Sequence, residues 1–218
     1  MGKVQAVIFD MDGLLADTEP LYFQAESELA RRYGKDFTRD VMEKMMGHKA
    51  ARSIQIMIET LGIEGPVEDV LALRDNLYKD LLMRGVKPMN GVFEFLDWLE
   101  RRGYRKAVGT SSKAEFKDII FGHLDLDDHF EVVITGEEVS VGKPAPEIYQ
   151  RVLDRLALQP HQCIVLEDSA AGLKAAKAAG CFCVIVPNRF TEHQDFSAAD
   201  LVAPQLFHEE IRGLIQKL

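Results

Sequence analysis

Residues 4–13 have the sequence VQAVIFDMDG, an almost wholly apolar run that ends in two acids and a glycine. Continuous apolar runs of this length suit strands that are buried on both faces, as in a parallel sheet. Asp10, Asp12 and Gly13 therefore stand at the carboxyl end of the predicted strand. In a parallel α/β sheet this is the end where ligands bind.

Further apolar runs alternate with amphipathic helical patterns along the rest of the chain. The predicted strands are residues 4–9, 106–110, 132–135, 163–167 and 182–186. The predicted helices between them are residues 92–102, 113–124, 146–156 and 170–179. This alternation predicts an α/β fold with a doubly wound parallel sheet.

One long interval, between the first predicted strand and the helix that begins near Val92, interrupts this alternation. It spans about 75 residues, more than a single crossover between parallel strands usually needs. Its apolar residues recur at helical spacing over residues 20–33, 40–46, 49–61 and 67–82. We therefore expect a core domain of residues 1–15 and 90–218, with an inserted all-helical cap domain of residues 16–89.

Charge and composition exclude several classes of protein. The chain has 218 residues and a formal net charge of −9, which argues against nucleic acid and anionic membranes as partners. Asp10 and Asp12 interrupt the first apolar run too early for a secretory signal, so we expect a cytoplasmic protein. We separately expect a monomer or weak dimer. Cys163, Cys181 and Cys183 are too few for a disulfide framework, and we interpret them as core residues.

Chemically reactive side chains follow four of the predicted strands. Because the carboxyl ends of parallel strands meet at one edge of the sheet, we expect these side chains to converge. In strand order they are Asp10 and Asp12, then Thr110, Ser111 and Ser112, then Lys143, then Glu167 and Asp168.

Each of these residue types has a role in phosphoryl transfer. A carboxylate can attack phosphorus and carry the phosphoryl group, and a second carboxyl group can protonate the leaving oxygen. Carboxylates also hold Mg²⁺, whereas hydroxyls with backbone N–H groups bind phosphate oxygens. A lysine ammonium neutralises both the phosphate and the nucleophile. The set predicts an enzyme that acts on a phosphorylated small molecule.

Each group also has a structural interpretation. An Asp after a strand is often a turn residue or a helix N-cap, and residues 110–112 and 167–169 could each cap a following helix. Lys143 lies in a Gly-Lys-Pro turn, where lysine is commonly a solvated surface residue. The occurrence of all four groups in one series favours the functional interpretation.

The four groups, in this order, resemble motifs one to four of the haloacid dehalogenase superfamily, and the helical insertion resembles its C1-type cap. The resemblance covers nearly the whole chain. It implies that Asp10 is the nucleophile, that Asp12 is the general acid and base, and that Lys143 pairs with Asp10 and the phosphate.

The resemblance also implies a Mg²⁺ site and a phosphate site. Mg²⁺ would be held by the side chains of Asp10 and Asp168 and the backbone carbonyl of Asp12, with Glu167 supporting it directly or through water. The phosphate site would be formed by Thr110, the backbone around Ser111, and Ser112, with Gly13 letting the chain turn beneath the phosphate.

Within the superfamily, residues 9–19 resemble the branch of β-phosphoglucomutase and small sugar-phosphate and nucleotide phosphatases. Residues 46–50 resemble the cap of pseudouridine-5′-phosphatase-type proteins, so we predict that His48 and Lys49 bind substrate; the alternative is a polar helix start. A phosphoglucomutase would carry an arginine in this loop, and the aligned residue here is Ala50, although Lys49 or Arg52 could substitute for it.

The resulting prediction is a Mg²⁺-dependent phosphatase for a sugar phosphate or nucleoside monophosphate. A phosphomutase is the alternative. Dehalogenases lack an acid at the position of Asp12. A phosphoacceptor signalling module would carry its acceptor after the third strand and would lack the helical insertion.

Overall fold

The structure, a computed structural model, describes residues 3–45 and 50–218. The chain divides into two units. One, which we call the sheet unit, comprises Met1–Asp17 and Lys87–Leu218; the other, the helical unit, is Thr18–Val86.

The sheet unit contains six strands, and every pair of neighbouring strands is parallel. The strands are β1 (Ala6–Phe9), β2 (Arg105–Gly109), β3 (Val132–Ile134), β4 (Cys163–Glu167), β5 (Phe182–Ile185) and β6 (Leu201–Val202). Their order across the sheet is β3-β2-β1-β4-β5-β6. This confirms the predicted α/β fold. The sixth strand was not predicted because two residues are too short to form a recognisable apolar run.

The described residues contain nine α-helices. They are α1 (Glu19–Arg32), α2 (Arg39–Met45), α3 (Ala50–Leu61), α4 (Val67–Leu82), α5 (Val92–Glu100), α6 (Ala114–Leu124), α7 (Glu147–Leu156), α8 (Ala170–Ala178) and α9 (Glu209–Lys217). The ends differ from the predicted ones by up to two residues, and the predicted ends at residues 46 and 49 lie outside the described residues. Helix α9 was not predicted. No helix among the described residues has the length and apolarity needed to span a bilayer.

The core of the sheet unit shows why these segments form strands and helices. Every residue of β1 is buried, as expected for a central strand covered on both faces. Helix α7 buries Ile148, Tyr149, Val152, Leu153 and Leu156, spaced to lie on one face, and it packs against β2 and β3. The three cysteines are buried and free, and burial raises the pKa values of Cys163 and Cys181 to about 12.

In the helical unit, α4 packs against both α1 and α3, and α2 packs against α3. A polar cluster lies buried in this unit. The Arg74 guanidinium donates to Asp75 Oδ1 at 2.8 Å and lies 3.7 Å from Glu26 Oε1. The rings of Tyr22 and Tyr78 stack with their centroids 3.7 Å apart. Burial raises the pKa of Glu26 to about 7, although Arg74 opposes the shift.

Candidate active site

The strand register brings the predicted site residues to one edge of the sheet. Phe9, the last residue of β1, pairs with Val108 of β2 on one side and with Leu166 of β4 on the other. Asp10 continues this line, and its N–H donates to the Leu166 carbonyl at 2.9 Å. Thr110 follows β2 in the same way. Asp10 therefore lies level with Glu167, the last residue of β4, and Thr110 lies one residue further along the same edge of the sheet.

Lys143 connects two of these strand ends. Its ammonium donates to Asp10 Oδ1 at 2.5 Å and to Glu167 Oε1 at 2.6 Å, and its side chain is only 7% exposed. Burial alone would lower the pKa of Lys143, but the attraction of the Asp10 and Glu167 carboxylates raises it above its ordinary value. The lysine is thus a buried cation, and the interpretation as a solvated surface residue is wrong.

Asp10 is a buried carboxyl group with an unusual charge environment. Burial raises its pKa to about 7, and the neighbouring acids Glu167 and Asp12 act in the same direction. Lys143 opposes the shift through its charge and its hydrogen bond. Asp10 is thus a carboxyl group whose ionised form depends on a nearby cation.

Asp12, two residues along the chain, has different partners. Its Oδ2 accepts hydrogen bonds from Ser112 Oγ at 2.7 Å and from Thr110 Oγ1 at 3.2 Å. Thr110 is fully buried and Ser111 is exposed. The hydroxyls predicted to bind phosphate are therefore directed in this structure at the second carboxylate.

Glu167 is fully buried and accepts hydrogen bonds on both oxygens. Its Oε1 accepts a hydrogen bond from the Lys143 ammonium and another from the Tyr149 hydroxyl, at 2.5 Å. Its Oε2 accepts hydrogen bonds from the N–H groups of Asp168 and Ser169 and from Ser169 Oγ, at 3.1–3.3 Å. Its carboxyl group lies against Gly172 of α8, where an added Cβ would be 1.8 Å from Glu167 Cδ. Only glycine fits there.

Two residues of this site, Tyr149 and Asn188, were not predicted from the sequence. Tyr149 lies on the buried face of α7 and looks like an ordinary core residue until its hydroxyl is located. Asn188 lies three residues after β5, and its Nδ2 donates to Asp168 Oδ2 at 2.8 Å. Applying the strand-end argument to the fifth predicted strand, as to the other four, would have drawn attention to Asn188.

Gly13, predicted to allow a turn, has a left-handed backbone with φ of +74°. An added Cβ would lie 2.6 Å from both Asp168 Oδ2 and Asn188 Nδ2. Conformation and space therefore both require glycine here. The predicted substrate-binding residues His48 and Lys49 lie outside the described residues.

The carboxylates fit a divalent cation. Asp10, Glu167 and Asp168 are all buried, and one oxygen of each lies within 4.8 Å of the others. Carboxylate oxygens are the ligands that Mg²⁺ prefers. Lys143 contacts two of these acids, Asp10 and Glu167, and the charge of Asp12 also acts on Asp10. Among the described residues of this cluster the negative charges outnumber the positive one, so a bound cation would offset the excess.

Comparison with known proteins assigns the chain to a family. Residues 7–186 match the haloacid dehalogenase-like hydrolases. The phosphorylated carbohydrates phosphatase of Thermotoga maritima is 38% identical over 177 residues, which cover 81% of this chain and 82% of that protein. The fructose-1-phosphate phosphatase YqaB of Escherichia coli is 32% identical over 178 residues, covering 82% and 94%.

A solved structure agrees with this assignment. CbbY from Rhodobacter sphaeroides, in complex with phosphate, superposes with a TM-score of 0.82 at 28% identity, covering 93% of this chain and 95% of that one. Both of the sequence relatives described above are phosphatases by name, and the motif resemblance that pointed to the superfamily is confirmed. The chain is therefore an enzyme of the haloacid dehalogenase-like hydrolase family.

Proposed function

We propose that this enzyme is a divalent-cation-dependent phosphatase that hydrolyses small phosphorylated carbohydrates through an aspartyl-phosphate on Asp10. The observation that carries the proposal is the difference between two acids two residues apart. Lys143 contacts Asp10, which suits a nucleophile held ionised next to a phosphate. Two hydroxyls contact Asp12, which suits a group that gains and loses a proton.

In the first step, a carboxylate oxygen of Asp10 attacks the substrate phosphorus. The bond from phosphorus to the ester oxygen breaks, and its electron pair stays on that oxygen. The carboxyl group of Asp12 gives its proton to the same oxygen, so the carbohydrate leaves as an alcohol. The phosphoryl group remains on Asp10, and Asp12 is now ionised.

In the second step, water attacks the phosphorus of the aspartyl-phosphate. The Asp12 carboxylate takes a proton from this water, and the bond between phosphorus and the Asp10 oxygen breaks. Inorganic phosphate leaves, Asp10 is again a carboxylate, and Asp12 is again a carboxylic acid. One water molecule is consumed in each cycle.

Asp10 and Asp168, with the Asp12 backbone carbonyl, would hold Mg²⁺, which when bound offsets the repulsion between the nucleophile and the phosphate. Glu167 would support the cation directly or through water, and protein donors engage both of its oxygens. It anchors Lys143 beside Asp10, so the ammonium stays within reach of the phosphate.

The Thr110 and Ser112 hydroxyls fix the rotamer of Asp12 and thus aim its proton at the leaving oxygen. With substrate bound, the exposed Ser111 and the backbone around it remain available to the phosphoryl oxygens. Residues 16–89, which are the helical unit and a few flanking residues on each side, would act as the cap. His48 and Lys49 are candidate contacts for the carbohydrate.

The proposed substrate class is supported by two relatives that are named for phosphorylated carbohydrates. The test measures inorganic phosphate released, with Mg²⁺ or with a chelator, from a panel of phosphomonoesters. The panel contains hexose 1- and 6-phosphates, fructose 1-phosphate, nucleoside 5′-monophosphates and pseudouridine 5′-monophosphate. We expect Mg²⁺-dependent release that is fastest with the sugar phosphates.

The matched variants are Asp10→Asn and Asp127→Asn, because Asp127 is an exposed acid remote in sequence from the motifs. Asp10→Asn should stop release, and Asp127→Asn should keep the wild-type rate. Absence of release from every substrate would contradict the proposal. So would conversion of β-glucose 1-phosphate to glucose 6-phosphate, with a bisphosphate primer, in place of net phosphate release, because that is the mutase outcome.

A further inference from the structure

The segment after β5 returns to the strand end that carries Asp168. Asn188 makes the contact, since its Nδ2 donates both to Asp168 Oδ2 at 2.8 Å and to the Gly13 carbonyl at 3.2 Å. Gly13 and Asp168 belong to different motifs and lie 175 and 20 residues from Asn188 in the chain. One amide thus joins the loop after β1 to the loop after β4.

The orientation of this amide is set by its other end. Asn188 Oδ1 accepts the N–H of Phe190 at 2.8 Å, which leaves the nitrogen to face Asp168 and Gly13. The backbone N–H of Asn188 donates to Thr191 Oγ1 at 3.1 Å, and Thr191 is buried. The side chain therefore projects from a turn that is itself hydrogen-bonded.

A second contact braces the same loop. Gln194 Oε1 accepts the N–H of Ala170, the first residue of α8, at 2.7 Å. Residues 188–194 thus hydrogen-bond at two points to the segment that carries Asp168 and Ala170. No space remains between Gly13, Asn188 and Asp168, because a Cβ on Gly13 would collide with both of the other residues.

We propose that Asn188 is a positioning residue for the divalent-cation site: it fixes the rotation of the Asp168 carboxylate and its distance from the loop that carries Asp10. A carboxylate that is already oriented loses less freedom when it binds a cation, and a donor on one oxygen directs the other toward the metal. Loss of such an outer contact typically weakens metal binding about 10–100-fold. This inference rests on the proposed function, since it assumes that Asp168 binds a cation.

The test variant is Asn188→Ser. A serine hydroxyl can still accept the Phe190 N–H and so preserve the turn, but it is too short to reach Asp168. The matched control is Asp195→Ser, in the same loop. Asp195 Oδ1 accepts the N–H of Ser197 at 2.9 Å in the same kind of turn, and Asp195 is exposed.

Mn²⁺ is titrated into each protein without substrate and followed by calorimetry. We expect Asn188→Ser to bind Mn²⁺ about 10–100-fold more weakly than wild type, and Asp195→Ser to bind it equally well. In turnover assays, excess Mg²⁺ should return kcat of Asn188→Ser toward the wild-type value. A residue that only stabilised the fold would lower Tm without this recovery.

The results separate the two proposals. Equal Mn²⁺ affinity in wild type and Asn188→Ser would overturn the role of Asn188 and leave the phosphatase proposal intact. No Mn²⁺ binding by wild type, together with phosphate release in the presence of chelator, would overturn both the role of Asn188 and the proposed dependence on a cation.

Discussion

Lys143 in the sheet unit and Arg74 in the helical unit are both buried, and each contacts two acidic side chains. The acidic partners of the two residues come from different distances along the chain. The acids around Arg74 are its neighbour in sequence, Asp75, and Glu26 on α1. The acids around Lys143 come from the ends of two different strands and lie 133 and 24 residues away in the chain.

The two clusters also differ in charge. Two acids accompany one base in the helical unit, and a proton on Glu26, whose pKa is about 7, balances the charges. In the part of the chain that the structure describes, the strand-end cluster has four acids, Asp10, Asp12, Glu167 and Asp168, and the base Lys143, so a proton on one acid does not balance the charges. The comparison indicates that the helical cluster serves stability, whereas the strand-end cluster is suited to a cation and a substrate.

The largest effect on activity is expected when the basic residue of the strand-end cluster, Lys143, is replaced. We expect Lys143→Met to lower the rate of phosphate release by about 10³-fold or more, because the ammonium that stabilises charge on both nucleophile and phosphate is lost. The matched control is Lys177→Met, which removes a partly exposed ion pair with Asp200 at 2.7 Å. A wild-type rate in Lys143→Met would contradict the account.

Asp12→Asn tests whether the second acid supplies a proton. We expect the rate with a sugar phosphate to fall by about 10²–10⁴-fold. With p-nitrophenyl phosphate the loss in the first step should be much smaller, because nitrophenolate leaves without protonation. The measurement is the single-turnover rate of alcohol or phenol release from each substrate. Equal losses for both substrates would show that Asp12 is not the acid.

Arg74→Met is the corresponding change in the helical unit. Removal of the guanidinium leaves buried acids without their partner, and we expect the free energy of unfolding to fall by about 3–5 kcal/mol. Arg39→Met is the control, because its ion pair with Glu43 on α2 is exposed and should matter little. Chemical denaturation measures both. Equal midpoints for the two variants would contradict the buried-cluster interpretation.

Glu26→Gln tests the buried cluster of the helical unit through the pH dependence of the free energy of unfolding. The pKa of Glu26 is raised from 4.5 to about 7 in the folded chain, so the folded state holds a proton that the unfolded state loses above pH 4.5. Ionisation of Glu26 therefore costs stability as pH rises from 4.5 to about 7, and the cost is complete above that range.

The variant lacks this cost. Relative to wild type, it should gain on the order of 3 kcal/mol of stability between pH 4.5 and 8. Denaturation of both proteins at several pH values gives the difference, in which the other titrating groups cancel. A difference that is independent of pH would contradict the raised pKa.

Much of the fold could be predicted from the sequence because its signals are local. A buried parallel strand is a short apolar run, and β1, β2, β4 and β5 all show one. Strand β6 has two residues at the sheet edge, and α9 buries only Ile211 and Ile215, so neither pattern was strong enough to identify.

The site was only partly predictable, because its contacts join distant parts of the chain. The strand-end argument brought Asp10, Lys143 and Glu167 to one edge, but the burial of Lys143 depends on packing that a Gly-Lys-Pro turn does not encode. The contact between Asp12 and Ser112 spans 100 residues, and Tyr149 has the pattern of a core residue. Partners that are distant in sequence can be identified only once the three-dimensional arrangement of the strands is known.

The most direct test of the account is to identify the carboxylate that carries the phosphoryl group. The enzyme is mixed with Mg²⁺ and its best sugar phosphate, quenched during turnover and treated with sodium borohydride, which reduces an aspartyl-phosphate to homoserine. Mass spectrometry of the peptide that contains Asp10 and Asp12 then locates the change. We predict homoserine at position 10 and intact aspartate at position 12. Homoserine at position 12, or at neither position with an enzyme that is turning over, would contradict the assignment of Asp10 as the nucleophile.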